Sequence, residues 1–461
     1  MAETPVVHVS RLLDERGISG FHVQLIVWSV LIALFDGYDI AAIALAAPHL
    51  VRDWHVERSA LGPVLAASNI GVLFGSMLFG WIGDRYGRKS ALIGSLLLFG
   101  VLTWIAAHAT NLNQMFWLRL IAGLGIGGVI PNMIAINIES APRRSRATLG
   151  LIATGLVPLG GALPGFVSAT LVPSHGWPIL FLIGGVVPVV IAVAAFFWMP
   201  ESIKYMSIHE PSRAKLTRLL ERLSPGIRVP EGARFVIEDE RQAPSSNPKY
   251  LFGEGLAVIT PLLWLLFALN LMGYFFLLLW TPTLLTAAKL PPTTAALTSA
   301  SLQIGGTVGT LLLLGWINRR QFLAVSILLV IPVPVVGSLG AIGIGGSQAA
   351  LLAASFFAGF CVLGVQSGIN VCGALVYPTS LRALGSGWQL GVGRLGSIVG
   401  PLVGALFVTL AVDKLYMWSA TPFLIGALIC FAVHRLNQAR IRERPYLAEG
   451  TTAPVRSAAT R

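Results

Sequence analysis

Apolar stretches of 18 or more residues recur along the whole chain, and this feature limits what it can fold into. A stretch of that length with few charges reads as a membrane-crossing helix, because a hydrocarbon core roughly 30 Å thick takes about 20 residues. Twelve spans can be marked, at approximately 24–50, 60–82, 91–109, 114–138, 147–170, 177–198, 255–280, 294–317, 321–341, 349–371, 384–410 and 417–436. Only 11% of residues are charged, against about 25% in soluble domains. Mean hydropathy is +0.76. The expected fold class is an all-α membrane protein of twelve transmembrane helices.

The net charge of +12 has a membrane explanation, since cytoplasmic loops are rich in Lys and Arg. The N-terminus, the even-numbered loops and the C-terminus hold 26 of the 32 bases. The odd-numbered loops hold four: Arg52, Arg58, Lys289 and Lys414. This bias predicts that both termini are cytoplasmic. No basic patch interleaved with aromatics suggests nucleic acid, and no cleavable signal is apparent. Cys361, Cys372 and Cys430 lie in apolar runs without metal-ligand spacing. They read as packing residues, with no metal site expected. No Walker loop is present, so ATP drive is not supported, and no cofactor is expected.

A polar break from Pro200 to Gly255 carries nine Lys or Arg and divides the spans six and six. The expected domains are an N-terminal tail (1–23), a six-helix bundle (24–199), a central loop (200–254), a second bundle (255–436) and a C-terminal tail (437–461). Within the loop, "PSRAKLTRLLERL" suggests a short amphipathic surface helix, and the tail after Arg444 has the composition of disorder. The halves resemble each other. "GWIGDR" at 80–85 is matched by "GWINRR" at 315–320, and "PRRSRA" at 142–147 by "PTSLRA" at 378–383. Offsets of 235 and 236 residues imply a duplicated six-helix unit. Parallel repeats with a mid-membrane site between them are an architecture of secondary transporters.

Ionisable residues inside spans are costly and are functional candidates by default. Here they are Asp36 and Asp39 in the first span, Arg119 in the fourth and Arg394 in the eleventh, with Glu139 at the edge of the fourth. Asp36 and Asp39 are three apart, hence on one helical face, and roughly 18–22 Å into the span at 1.5 Å per residue. Two close carboxylates in a poorly solvated site do not both ionise easily, a property that suits a proton carrier. Alternatively, one of them forms a structural ion pair with Arg119 or Arg394. An arginine keeps its charge and matches a carboxylate with two parallel hydrogen bonds. Arg394 is therefore the preferred anchor for an anionic substrate, unless it pairs with an aspartate. Tyr38, Trp388, Asn270 and Gln303 are candidate lining residues, followed by Phe35, Tyr274, Phe275, Phe276, Gln366 and Asn132.

The loop "GWIGDRYGRKS" resembles the signature loop of the major facilitator superfamily through Gly80, Gly83, Asp84, Arg85, Gly87, Arg88 and Lys89. The resemblance implies a cytoplasmic latch between the halves, joined by Glu139, Arg143, Arg144 and Arg146. The second-half counterpart has Asn318 and lacks the later glycine, which suggests a weaker latch. "RLIAGLGIGG" after Arg119 resembles the fourth-helix motif in which the arginine takes part in proton coupling. "TGLVPLGGALPG" resembles the fifth-helix motif.

"FDGYDIAAIALAAPHL", the signature loop and "YPTSLRALGSGWQLGVGRLGSIVGP" together resemble the aromatic acid:proton symporters of that superfamily. This implies a monomeric inner-membrane carrier, not an enzyme, that imports hydroxybenzoate-, gentisate- or vanillate-type acids with protons. Asp36 and Asp39 match the family's first-helix acids, and Arg382 and Arg394 its basic pair. The alternative is a carrier of another organic anion, or a drug/proton antiporter.

Overall fold

The computed structural model describes residues 6–8, 14, 18–208, 216–217, 220, 234–236, 247–253, 255–378 and 381–443. Most of the expected surface helix, the C-terminal tail beyond Glu443 and the side chain of Arg143 lie outside the described residues; residues 437–443 of the expected tail continue α16. The first bundle comprises α1 (Gly20–Asp53), α2 (Leu61–Tyr86), α3 (Arg88–Ala106), α4 (Leu112–Ser140), α5 (Arg146–Gly155), α6 (Val157–Thr170), α7 (Val172–His175) and α8 (Pro178–Trp198). A short α9 (Ile203–Ile208) follows. The second bundle comprises α10 (Ile259–Ala287), α11 (Pro292–Val330), α12 (Pro332–Gly345), α13 (Gln348–Val376), α14 (Arg382–Phe407), α15 (Val412–Ser419) and α16 (Thr421–Glu443). A strand pair, β1 (Val6–His8) and β2 (Arg234–Val236), runs parallel with Val6 opposite Arg234.

Among the described residues, eleven helical stretches are long and apolar enough to cross a membrane. The expected fifth span is the remaining one, interrupted at Leu156 between α5 and α6. Pro158 has no N–H to give the turn before it, which breaks the backbone ladder there. The expected eighth and ninth spans are not separated at 317–321. One helix runs on to Val330, and the break comes at Pro332. The two signature-loop positions account for this. Gly87 adopts φ 102° and ends α2, a conformation open to glycine. Its counterpart 235 residues on is Phe322, so α11 continues.

The bundles meet through α1 against α10, α2 against α14, and α6 against α11. Under the repeat, the last two contacts are equivalent, so the bundles face each other across a pseudo-two-fold axis. Inter-bundle contacts include Gly62 against Ala405, Gly165 against Ala296 and Ala300, and Asn69 Nδ2 donating to the Ser397 carbonyl at 3.2 Å. These residues lie toward the ends of their helices remote from the signature loop. Within the first bundle, Gly37 sits on the Val157 carbonyl and Gly160 on the Leu34 carbonyl. The glycines of the fifth-span motif thus let α6 lie directly on α1, bringing backbones close where a side chain would not fit.

Candidate functional site

The membrane-embedded acids separate into two environments. Asp39 is sealed inside the first bundle. Arg119 Nη1 and Nη2 donate to its two carboxylate oxygens at 2.8 and 2.6 Å, and Thr103 Oγ1 donates to Oδ1 at 2.8 Å. Arg119 Nε donates to Ser68 Oγ at 3.0 Å, and its guanidinium lies 5.9 Å from the Phe181 ring centroid. Neither side chain of the pair has any exposure. This two-point geometry answers both charges at once, the condition under which a buried ion pair is tolerable. Five helices supply the shell: α1, α2, α3 and α4 the polar groups, and α8 the Phe181 ring.

Asp36 sits one turn earlier and faces elsewhere. It is 3% exposed, and its Oδ1 has no hydrogen-bond partner. The countercharge that acts on it is Arg394 on α14 of the second bundle, with no salt bridge between them. Arg394 itself is half-buried, and its backbone carbonyl accepts from Ser397 Oγ at 2.7 Å. Three residues turn a helix through about 300°, leaving the two side chains about 60° apart. At a junction between bundles, that offset sends Asp39 into the first and Asp36 toward the second.

The remaining candidates divide similarly. Asn270 Nδ2 donates to Gln366 Oε1 at 2.7 Å, leaving Asn270 Oδ1 and Gln366 Nε2 buried without partners. Tyr274 donates to Gln303 Oε1 at 3.1 Å, and the Gln303 amide lies against Gly161 of α6. These four residues form a polar group where the second bundle meets the first. Trp388 is exposed and stacks on Trp264, with centroids 5.7 Å apart and planes 18° apart. Tyr38 is packed away from this group, stacked on Phe35 and set against Gly184 of α8, its hydroxyl unpartnered. Asn132 donates to the Phe79 and Gly128 carbonyls beside the signature loop and is a helix tie there.

The signature-loop charges come together within the first bundle. Arg88 bridges Asp84 at 2.6 Å and Glu139 at 3.2 Å. Ser202 Oγ also donates to Glu139, and Glu201 accepts from the Lys89 and Ser202 backbone amides. Arg85 lies over Trp81 and Tyr86. Arg146 donates to the Ala141 carbonyl at 3.2 Å. Gly80 has open space around it, and Gly87 makes the turn against Glu201. Arg382 is exposed at the start of α14 and outside this cluster. Among the described residues no salt bridge joins the two bundles.

Sequence reasoning did not single out Ser68, Thr103, Phe181, Trp264, Glu201 or Ser202. Isolated small hydroxyls in apolar spans carry no pattern of their own. Only the partner across the bundle reveals them.

Eleven membrane-length helices among the described residues, in two related bundles that meet through α1, α2 and α6, have the architecture of a membrane transporter. The chain belongs to the Major Facilitator Superfamily, whose family model matches residues 29–401. It is 32% identical to the gallate transporter of Pseudomonas putida, covering 98% of this chain and all of the relative. It is 33% identical to a 4-hydroxybenzoate transporter of the same species, over 91% of this chain and 92% of the relative. These relatives are transporters, and the chain is a multi-pass membrane transporter rather than an enzyme. Among solved structures, the inward-open xylose transporter XylE from E. coli superposes with a TM-score of 0.68 at 16% identity, covering 88% of this chain and 95% of the other. A bacterial Spinster homologue, inward-facing and unoccupied, gives 0.65 at 14%, covering 95% and 100%.

Proposed function

We propose that the protein imports aromatic carboxylates together with protons across the inner membrane, by alternating access between its two bundles. The relatives named for gallate and 4-hydroxybenzoate support the substrate class. The observation that carries the mechanism is the unequal treatment of the two acids. Asp39 is answered by Arg119, whereas Asp36 is buried with an unpartnered oxygen opposite Arg394. With Asp36 ionised, the charge of Arg394 is matched and an incoming anion would bring an unbalanced negative charge into a poorly solvated site. With Asp36 protonated, Arg394 is free to bind a carboxylate through its planar fork. Proton and carboxylate then travel together because the site is neutral only when both are bound. Asn270, Gln366 and Gln303 offer amide groups to ring hydroxyls, and Trp388 offers an aromatic face.

The reading assigns this conformation to the inward-open state, closed on the face opposite the signature loop. On that reading, both termini and the signature loop are cytoplasmic. The Asp84, Arg88 and Glu139 cluster would meet Arg382 only when the inner side closes. The protein would act as a monomer, each chain carrying a complete site.

The test is uptake of radiolabelled 4-hydroxybenzoate, gallate and vanillate into proteoliposomes under an inward proton gradient. Accumulation that a protonophore collapses supports the proposal. Uptake no greater than in empty vesicles for all three acids would sink it.

A further inference from the structure

On the face opposite the signature loop, the end of α1 and the turn before α2 meet the ends of α10 and α11 around a pocket of about 210 Å³. His49 on its wall lies ten residues beyond Asp39, about 15 Å along the helix at 1.5 Å per residue. The pocket is therefore separate from the central site. Its lining sets two arginines and a histidine, Arg52, Arg58 and His49 from the first bundle, opposite Thr283, Thr286 and Pro292 from the second. The odd-numbered loops hold only four Lys or Arg in all. Two of the four line this one pocket, and a third, Lys289, sits in the loop that borders it.

The neighbouring carboxylates do not line the pocket, but Asp53 pairs with the pocket's own Arg52, so the uncompensated charge on its wall is that of Arg58. Asp53 accepts from Arg52 Nε at 2.8 Å, and Glu57 accepts from Ser59 Oγ at 3.1 Å. The Arg58 side chain has no hydrogen-bond or ion-pair partner among the described residues. Thr283, 2% exposed, contributes a buried hydroxyl that is also without a partner. The backbone points to the same place. Among the described residues, the non-glycine positions with left-handed φ are His55 at 52° and Lys289 at 65°, one on each bordering loop. Such conformations persist only where the surroundings enforce them, and they cluster at functional loops.

We infer that this pocket is an antechamber that captures a benzoate-type carboxylate on the outer face before the carrier opens. The carboxylate faces Arg58 and His49 and accepts from the Thr283 hydroxyl, while the ring rests against Pro48 and Pro292. A cleft lined by one sign of charge raises the local concentration of its counter-ion and speeds capture. This inference rests on the proposed import of aromatic acids.

Two measurements on the full-length protein test it. In proteoliposomes, Arg58→Gln is expected to lower kcat/KM for 4-hydroxybenzoate at low salt by on the order of tenfold. It should leave turnover at saturation unchanged and flatten the salt dependence, with Arg58→Lys restoring most of both. In detergent, the ¹⁹F line of 4-fluorobenzoate is expected to broaden with Arg394→Gln protein and to stay sharp with the Arg58→Gln/Arg394→Gln protein. An Arg58→Gln protein with wild-type kcat/KM and salt dependence would overturn the antechamber, as would broadening that persists in the double variant. If wild-type protein shows no uptake yet Arg58-dependent broadening remains, the import reading fails and the anion pocket stands. Uptake without any Arg58 dependence has the opposite meaning.

Discussion

Arg119 holds Asp39 with both terminal nitrogens, at 2.8 and 2.6 Å, with no exposure of either side chain. Asp36, three residues away, has no such partner. Removing the charge of one acid or the other should therefore have different consequences.

Asp39→Asn leaves a buried guanidinium without its counter-charge. Breaking a buried pair in this way is destabilising by about 3–5 kcal/mol. The variant is expected to lose thermal stability in detergent together with transport. A variant as stable as wild type would remove the structural half of this assignment.

Asp36→Asn mimics the protonated carboxyl and should fold normally. Substrate exchange across the membrane should persist and become independent of pH. Accumulation driven by a proton gradient should disappear, because nothing is left to carry the proton. In the wild type, uptake should rise as the outside is acidified. Counterflow and gradient-driven uptake, measured side by side from pH 5.5 to 8.0, check this; wild-type accumulation by Asp36→Asn would refute it.

Arg394→Gln keeps the shape of a polar side chain and removes the positive charge. Loss of a charge-assisted contact of this kind is worth about 2 kcal/mol or more. KM for uptake should rise near 30-fold at a tenfold change per 1.4 kcal/mol. An unchanged KM would move the carboxylate anchor away from α14.

Arg119→Lys retains the charge but not the fork, so the Ser68 contact and one of the two bonds to Asp39 are lost. A stability loss of about 1–3 kcal/mol is expected, read as a lower midpoint of thermal unfolding. No change in the midpoint would show that the fork is dispensable.

Gly37→Ala and Gly160→Ala each press a methyl group into a carbonyl of the facing helix. Overpacking of this kind typically costs about 1–3 kcal/mol. Gly80→Ala meets open space and should stay within about 0.5 kcal/mol of wild type. Comparing the three midpoints tests the contact between α1 and α6.

The sequence by itself determined the membrane class, the duplicated plan and the short inventory of buried charges. It could do so because hydrocarbon excludes ionisable groups so strongly that each exception stands out. It also marked the missing glycine of the second signature loop, though not the consequence at Phe322, where α11 runs straight on. Tertiary structure alone decided the pairing of acids and bases. Asp36 and Asp39 share one helix and one spacing, and no one-dimensional pattern says which meets Arg119. That depended on a rotation of about 60° about α1, set by where α6 could approach through Gly37 and Gly160. Ser68 and Thr103 became site residues for the same reason. They matter only because α1 brings a carboxylate to Thr103 and α4 a guanidinium to Ser68 within hydrogen-bonding distance.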